Sequence, residues 1–314
     1  MDNLTAPINQ CEPAEIIGRS LLSGILLEVA CHPSPGLVSP FSMGAHEDMN
    51  HYSFMLSTAA IAAYIQACTR VGYQEPPGEN LLLKLRPLGL QAEKAMLEAT
   101  GGVNTHKGMI FLGGITAAAA GVAMQKDHES AFENTPYVKA TAVCREIKEM
   151  CRGLVQRELE NAPLPKKETL TQGEYWYRQA GITGVRGEVE AGLPAVRQTG
   201  LPVFSEALRL FSLKTAMVHT LLHLMTVVED TTVLARAGLE GLNLVKSTAS
   251  EVIGLGGIQT ERGQQAMERV SRFFETRRIS PGGSADLLAM TIALWIMENG
   301  PIPKEKMVPD RHQR

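Results

Sequence analysis

Nothing in this 314-residue chain reads as a β-sheet, because no run of β-branched residues alternates with polar ones between hairpin turns. No GxGxxG follows a strand-like segment, which argues against a Rossmann unit, and no GxxxxGK[ST] implies a P-loop. Positive charge is not in excess. The net charge is −3, so no basic field argues for nucleic acid or an anionic membrane, and a polyanionic ligand would need a local basic site. The five cysteines (Cys11, Cys31, Cys68, Cys144, Cys151) are odd in number and form no CxxC pair. Neither a disulfide framework nor a zinc site is indicated, and a reducing cytoplasm is expected. The N-terminus lacks the positive charge of a signal peptide, and Glu28 interrupts the apolar run before Cys31. The longest uncharged run, 108–125, reaches the lower length limit of a membrane span. It is rich in Ala and Gly and reads as a tightly packed central helix. No internal repeat or low-complexity tract stands out.

What is present is helical. Hydrophobic residues make up 44% and charged residues 20%, ordinary for a globular protein, and the length allows one or two domains. Ile17, Leu21, Ile25 and Val29 fall at helical spacing within 14–30. Residues 31–45 are rich in Pro and Gly and read as a loop, followed by a helix from His46-Glu47-Asp48 to about Cys68. Pro76, Pro77, Gly78 and Pro87 mark 71–88 as loop. Helices are expected over 89–100, 107–125, 137–160, 168–180, 203–228 and 239–278, the last broken at Gly254, Gly256 and Gly257, and from about Ser284 to Met297. Segment 126–136 reads as a polar connection and 161–167 as an exposed linker. With its glycines and prolines, 181–202 reads as a long irregular segment. Residues 1–13 and 299–314 are expected to be loosely ordered. The sum is one all-α domain of about ten helices, since helix existence is more legible than helix boundaries.

The chain is organised around 93–111. A helix ends at Gly101-Gly102, Asn104-Thr105-His106-Lys107-Gly108 follow, and the uncharged helix begins. Polar and basic groups therefore sit at a helix N-terminus, where free amides and the dipole suit an anion. The same residues would also make an ordinary capped turn with a surface Lys. His219 and His223 stand at i and i+4, a spacing that can hold zinc, but no Glu lies between them as in HExxH. They read as core or interface histidines. Glu47 and Asp48 would complement a helix dipole, and Ser284 would cap a helix with Asp286 in its first turn.

The stretch ATGGVNTHKGMIF (99–111) resembles the signature of the triphosphoribosyl-dephospho-CoA synthase family. Four more stretches agree in order: SPGLVSPFSMGAHEDMNHYSF (34–54), GITGVRGEVEAGLP (181–194), EDTTVLARAG (229–238) and SPGGSADLLA (280–289). Thr232 and Ala237 stand where the family often has Asn and Gly. The resemblance implies transfer of the 5-triphosphoribosyl group of ATP to the 2′-hydroxyl of 3′-dephospho-CoA with release of adenine. The product is the prosthetic-group precursor of citrate lyase or malonate decarboxylase. Magnesium as cofactor and, downstream, a holo-acyl-carrier-protein transferase and the carrier subunit are implied with it.

Such chemistry needs cations and amides to hold an intact triphosphate. Lys107, Arg186, Arg236 and the turns with Gly101, Gly102, Asn104, Thr105, Gly108 and Gly282, Gly283, Ser284 are the candidates. Asp48, Asp230 and Asp286 are candidate magnesium ligands. Glu93, then Glu188, is the candidate base beside an oxocarbenium-like sugar, and His106 or His46 would serve the leaving adenine. Two other readings stay open. One is a metal-dependent nucleotide or ADP-ribosyl hydrolase using the same carboxylates; the other is a non-catalytic nucleotide-binding assembly protein. No nucleic-acid or membrane partner is expected, and the apolar helices leave room for a homodimer.

Overall fold

A computed structural model describes residues 13–129, 137–160 and 170–308. The expected linker 161–167, most of the polar connection at 126–136, the first twelve residues and the end of the tail lie outside them. Among the described residues there is no strand, only an isolated bridge between Ser39 and Ser42. Twelve α-helices follow one another: α1 Pro13–Val29, α2 His51–Gln74, α3 Asn80–Ala99, α4 Lys107–Glu129, α5 Ala140–Met150, α6 Gln172–Ala180, α7 Gly184–Glu190, α8 Leu201–Leu210, α9 Leu213–Val227, α10 Thr231–Gly254, α11 Glu261–Arg277 and α12 Gly282–Asn299. The fold is all-α, as the periodicity predicts.

The centre is built from α4 and α12, each buried on nearly every side. Leu112 and Ala117 to Ala120 of α4 are fully inaccessible, as are Leu288, Ala289, Met290 and Ile292 of α12. Small residues let their neighbours approach at backbone distance. A Cβ on Gly72 of α2 would lie 1.9 Å from the Ala118 carbonyl oxygen, and one on Gly121 of α4 would lie 2.3 Å from that of Thr69. Helix α1 crosses α12 in the same way, with the Gly24 position 2.3 Å from the Ala289 carbonyl oxygen. Helices α2 and α4 are long and apolar enough to cross a membrane, but 83% of the apolar window of α4 is buried inside the protein. The run 108–125 is the packed core helix that its Ala and Gly content predicts.

Several boundaries differ from the sequence reading. The segment around Pro87 is helical, because α3 buries Leu81, Leu82 and Leu85 on one face. That burial outweighs the roughly 3 kcal/mol that an interior proline costs a helix. The run 203–228 divides into α8 and α9 at Ser212, whose hydroxyl caps α9 by accepting from Thr215 N–H. The expected helix over 137–160 stops at Met150 and resumes as a π-helical turn, Gln156–Glu160. The glycine-rich segment after 181 carries the short helix α7 and a second π-helical turn, Val196–Gly200, so Glu188 stands on a helix rather than in an irregular segment.

Candidate active site

The turn before α4 needs its two glycines, since Gly101 and Gly102 have φ of 66° and 93°. Asn104 then caps the helix, its Oδ1 accepting from Lys107 N–H at 3.1 Å. His106 turns inward and is 3% exposed. Its Nδ1 shares a 2.6 Å hydrogen bond with the Ser57 hydroxyl, and the Phe54 ring meets it edge-on at 4.9 Å. Burial lowers its pKa to about 4, so the ring is neutral. Its Nε2 and the Thr105 hydroxyl oxygen are buried without a hydrogen-bond partner.

Two cavities open beside this turn. The first, about 270 Å³, is lined by His46, Asn104 to Gly108, Arg236, Gly282 and Asp286, and also by Glu28. The second, about 360 Å³, holds Glu188, Glu229, Gly283 and Thr231. Gly108, Thr232 and Asp286 line both, so the two make one cleft with Asp286 at the join. A Cβ on Gly108 would lie 2.4 Å from Asp286 Oδ2; the glycine leaves room for the carboxylate.

Arg236 reaches the cleft from α10. Its Nη1 donates to the Ala45 carbonyl at 3.0 Å and its Nη2 to His46 Nδ1 at 3.1 Å. Guanidinium only donates, so His46 Nδ1 is the acceptor and its Nε2–H donates to Ser280 Oγ, 3.0 Å away. Burial and then the Arg236 charge lower the His46 pKa to about 4, against Asp48. Both ring nitrogens of His46 are thus spent on positioning, whereas His106 keeps one for a ligand.

The three candidate aspartates are separated. Asp48 is 65% exposed and 4.0 Å from His46 Nδ1, outside the cavity linings. Asp230 is buried and caps α10, accepting from Thr232 and Val233 N–H at 3.0 and 3.2 Å. It also accepts from Ser284 N–H at 2.8 Å and Ser284 Oγ at 3.2 Å. Asp230 therefore occupies the N-terminus of α12, and the anion at that second turn is the protein's own. Ser284 is not the cap of α12; the helix begins two residues earlier, at Gly282. Only Asp286 opens into the cleft, and its carboxyl is raised to about 7 by burial and by the charge of Asp230. Among the described residues no three His, Cys, Asp or Glu side chains are gathered as a metal cage.

Glu188, half-buried on α7, accepts from Ala195 N–H at 3.3 Å. Burial raises it to about 7, the hydrogen bond opposing and Glu229 adding. Glu93 is elsewhere. It pairs with Lys107 Nζ at 2.6 Å in an apolar groove of about 320 Å³ between α3 and α4, walled by Tyr64, Leu85, Ile110 and Phe111. Arg186 lines the same groove and is held by Glu158 at 2.8 Å. Lys107 belongs to both groove and cleft. The rings of His219 and His223 lie 4.6 Å apart on α9, away from all three cavities. Burial lowers the pKa of both.

This arrangement belongs with a known family. The model of the ATP:dephospho-CoA triphosphoribosyl transferase (CitG) family matches residues 14–303. The chain belongs to that family. A relative from Malonomonas rubra, named a probable 2-(5''-triphosphoribosyl)-3'-dephosphocoenzyme-A synthase, is 41% identical over 283 residues, 90% of this chain and 87% of the relative. The synthase of that name from Klebsiella pneumoniae is 37% identical over 298 residues, 94% of this chain and 93% of its own length. A probable synthase from Vibrio cholerae is 38% identical over 285 residues, 90% and 87%. No solved structure matches the chain. A transferase of this family must keep a triphosphate whole while a sugar carbon changes partners. A cleft with cations at one end and near-neutral carboxyls beside them suits that demand.

Sequence reasoning missed Glu28, Ser57, Thr232 and Ser280. Thr232 and Ser280 lie inside two of the ordered stretches, and Glu28 left a signal of its own. It follows Leu21 by seven and Ile25 by three, so a charge sits on the buried face of α1.

Proposed function

We infer that this chain carries out its family's transfer, moving the 5-triphosphoribosyl group of ATP to the 2′-hydroxyl of 3′-dephospho-CoA with loss of adenine. One observation carries the reading in detail: Lys107, His106, Arg236, Asp286 and Glu188 converge on one cleft. The bond that breaks joins the ribose anomeric carbon to adenine. The bond that forms joins that carbon to the acceptor oxygen, whose proton leaves to a base, while adenine gains a hydrogen-bond donor or a proton.

The roles follow from placement. Lys107, Arg236 and the amides at the start of α4 hold the triphosphate. His46 aims Arg236. Glu188 takes the acceptor's proton, since a carboxyl near neutrality is suited to a base. Asp286 and Glu188 flank the sugar, where negative charge stabilises an oxocarbenium-like state. His106 Nε2 meets the adenine. Glu93 sets the position of Lys107, and Arg186 sits at the groove that suits the acceptor's long, partly apolar arm. Magnesium supplies charge neutralisation on the triphosphate. Asp286 fits it as an open carboxylate with no hydrogen-bond partner among the described residues, and magnesium commonly takes only one or two carboxylates beside phosphates. Asp48, at the exposed edge, can reach it only through solvent. Cys31, Cys68, Cys144 and Cys151 are buried free thiols, which fits a cytoplasmic setting. The product would pass to the carrier-protein transferase of a lyase or decarboxylase.

The test is the fate of ATP with magnesium and acceptor. Adenine should appear in step with consumption of 3′-dephospho-CoA, without ADP or AMP. Release of ADP would mean chemistry at phosphorus and would overturn the reading.

A further inference from the structure

Helix α1 carries a buried acid in its last turn. Glu28 is 9% exposed and lines the cleft opposite the α4 turn. No hydrogen bond or ion pair among the described residues reaches its side chain. Helices α1 and α12 meet where Gly24 abuts Ala289. Glu28 lies one turn beyond Gly24 and Asp286 about one turn before Ala289, and the two side chains line the same cavity. Two unpaired carboxylates in one partly buried cavity are costly unless a cation or a proton intervenes. The same cavity holds the orphaned Nε2 of the nine-tenths-buried His106, a second polar group awaiting a ligand.

We propose that Glu28 and Asp286 together hold the divalent cation of the nucleotide substrate, with Glu28 on α1 and Asp286 on α12 as the two protein carboxylates. The proposal rests on the transferase reading. It replaces Asp48 and Asp230 as ligands, the first too exposed and the second consumed by backbone caps. Magnesium with one or two carboxylates, waters and phosphate oxygens needs no third protein ligand. The Gly24 crossing is then part of the site, because any side chain there would drive α1 from α12 and part the pair.

Manganese stands in for magnesium in the test. Free Mn²⁺ is titrated by electron paramagnetic resonance with the full chain, with and without ATP and without acceptor. The wild type should bind one Mn²⁺ more tightly with ATP. Glu28→Gln and Asp286→Asn should each weaken that binding tenfold or more, and Asp48→Asn should not. Melting temperature gives a second reading. Mg²⁺ with ATP should raise that of the wild type, and Glu28→Gln should melt like the metal-free wild type but lose the rise. Should Glu28→Gln fail to fold, Glu28→Asp keeps the charge but retracts it, and the same tenfold loss is expected. Wild-type Mn²⁺ affinity in a folded Glu28 variant, or no Mn²⁺ binding by the wild type, would overturn the assignment. Product formation by the wild type is measured separately, so loss of this site leaves the transfer reading standing.

Discussion

At the scale of single residues, Glu188 and Gly108 give the sharpest tests of the cleft. If Glu188 is the base, it works only when ionised. With its carboxyl near 7, kcat/KM should rise with pH up to about 7 and level off above. Glu188→Gln should lower kcat by about 10²–10⁴ and abolish that limb; an unchanged pH profile in the variant would remove the role. Gly108→Ala tests the crowding at Asp286. Alanine should favour the helix by about 0.5–1 kcal/mol, yet its Cβ would meet Asp286 Oδ2 at 2.4 Å. Activity should fall at least about tenfold with little change in melting temperature. Near-normal turnover would mean that the carboxylate can move aside without consequence. Glu93 was legible as an acid near the signature turn. Its pairing with Lys107 was not, because sequence spacing does not reveal that a helix turns its acid toward a residue fourteen positions on.

At the scale of elements, three helix starts do different work. The start of α4 is open to the cleft, the start of α10 is capped by Asp230, and the start of α12 is filled by the same Asp230. One carboxylate thus joins two motifs more than fifty residues apart. Asp230→Ala leaves buried N–H groups without an acceptor and should cost about 2–4 kcal/mol. Urea unfolding should register the loss as a lower midpoint, and a midpoint equal to wild type would show that another group caps both helices. The Asp and the SPGGSAD stretch were each visible in the sequence as ordinary caps. Their union was hidden because it is a tertiary contact, and local capping rules cannot say which helix a carboxylate serves. Likewise Pro87 punctuates the sequence as a break, yet the apolar face of Leu81, Leu82 and Leu85 carries α3 through it.

For the whole molecule, the all-α class followed from 3.6-residue periodicity and the lack of strand-like runs, and the central helix from its content of Ala and Gly. The ordered stretches pointed to the family before any geometry. What they did not rank was which acids face the cleft. Asp48, Asp230 and Asp286 look alike along the chain and differ in burial and partners: the first exposed, the second capping backbone amides, the third open to the cleft. Glu28, outside every stretch, faces the cleft because α1 crosses α12 at Gly24. Lys107 lines both the cleft and the groove between α3 and α4.

The most direct test of the central claim is mass spectrometry of the acceptor after reaction with ATP and Mg²⁺. The account predicts 3′-dephospho-CoA heavier by one triphosphoribosyl unit, with one adenine released for each adduct. Adenine and free triphosphoribose without the adduct would contradict it, since water would then be the acceptor in the cleft.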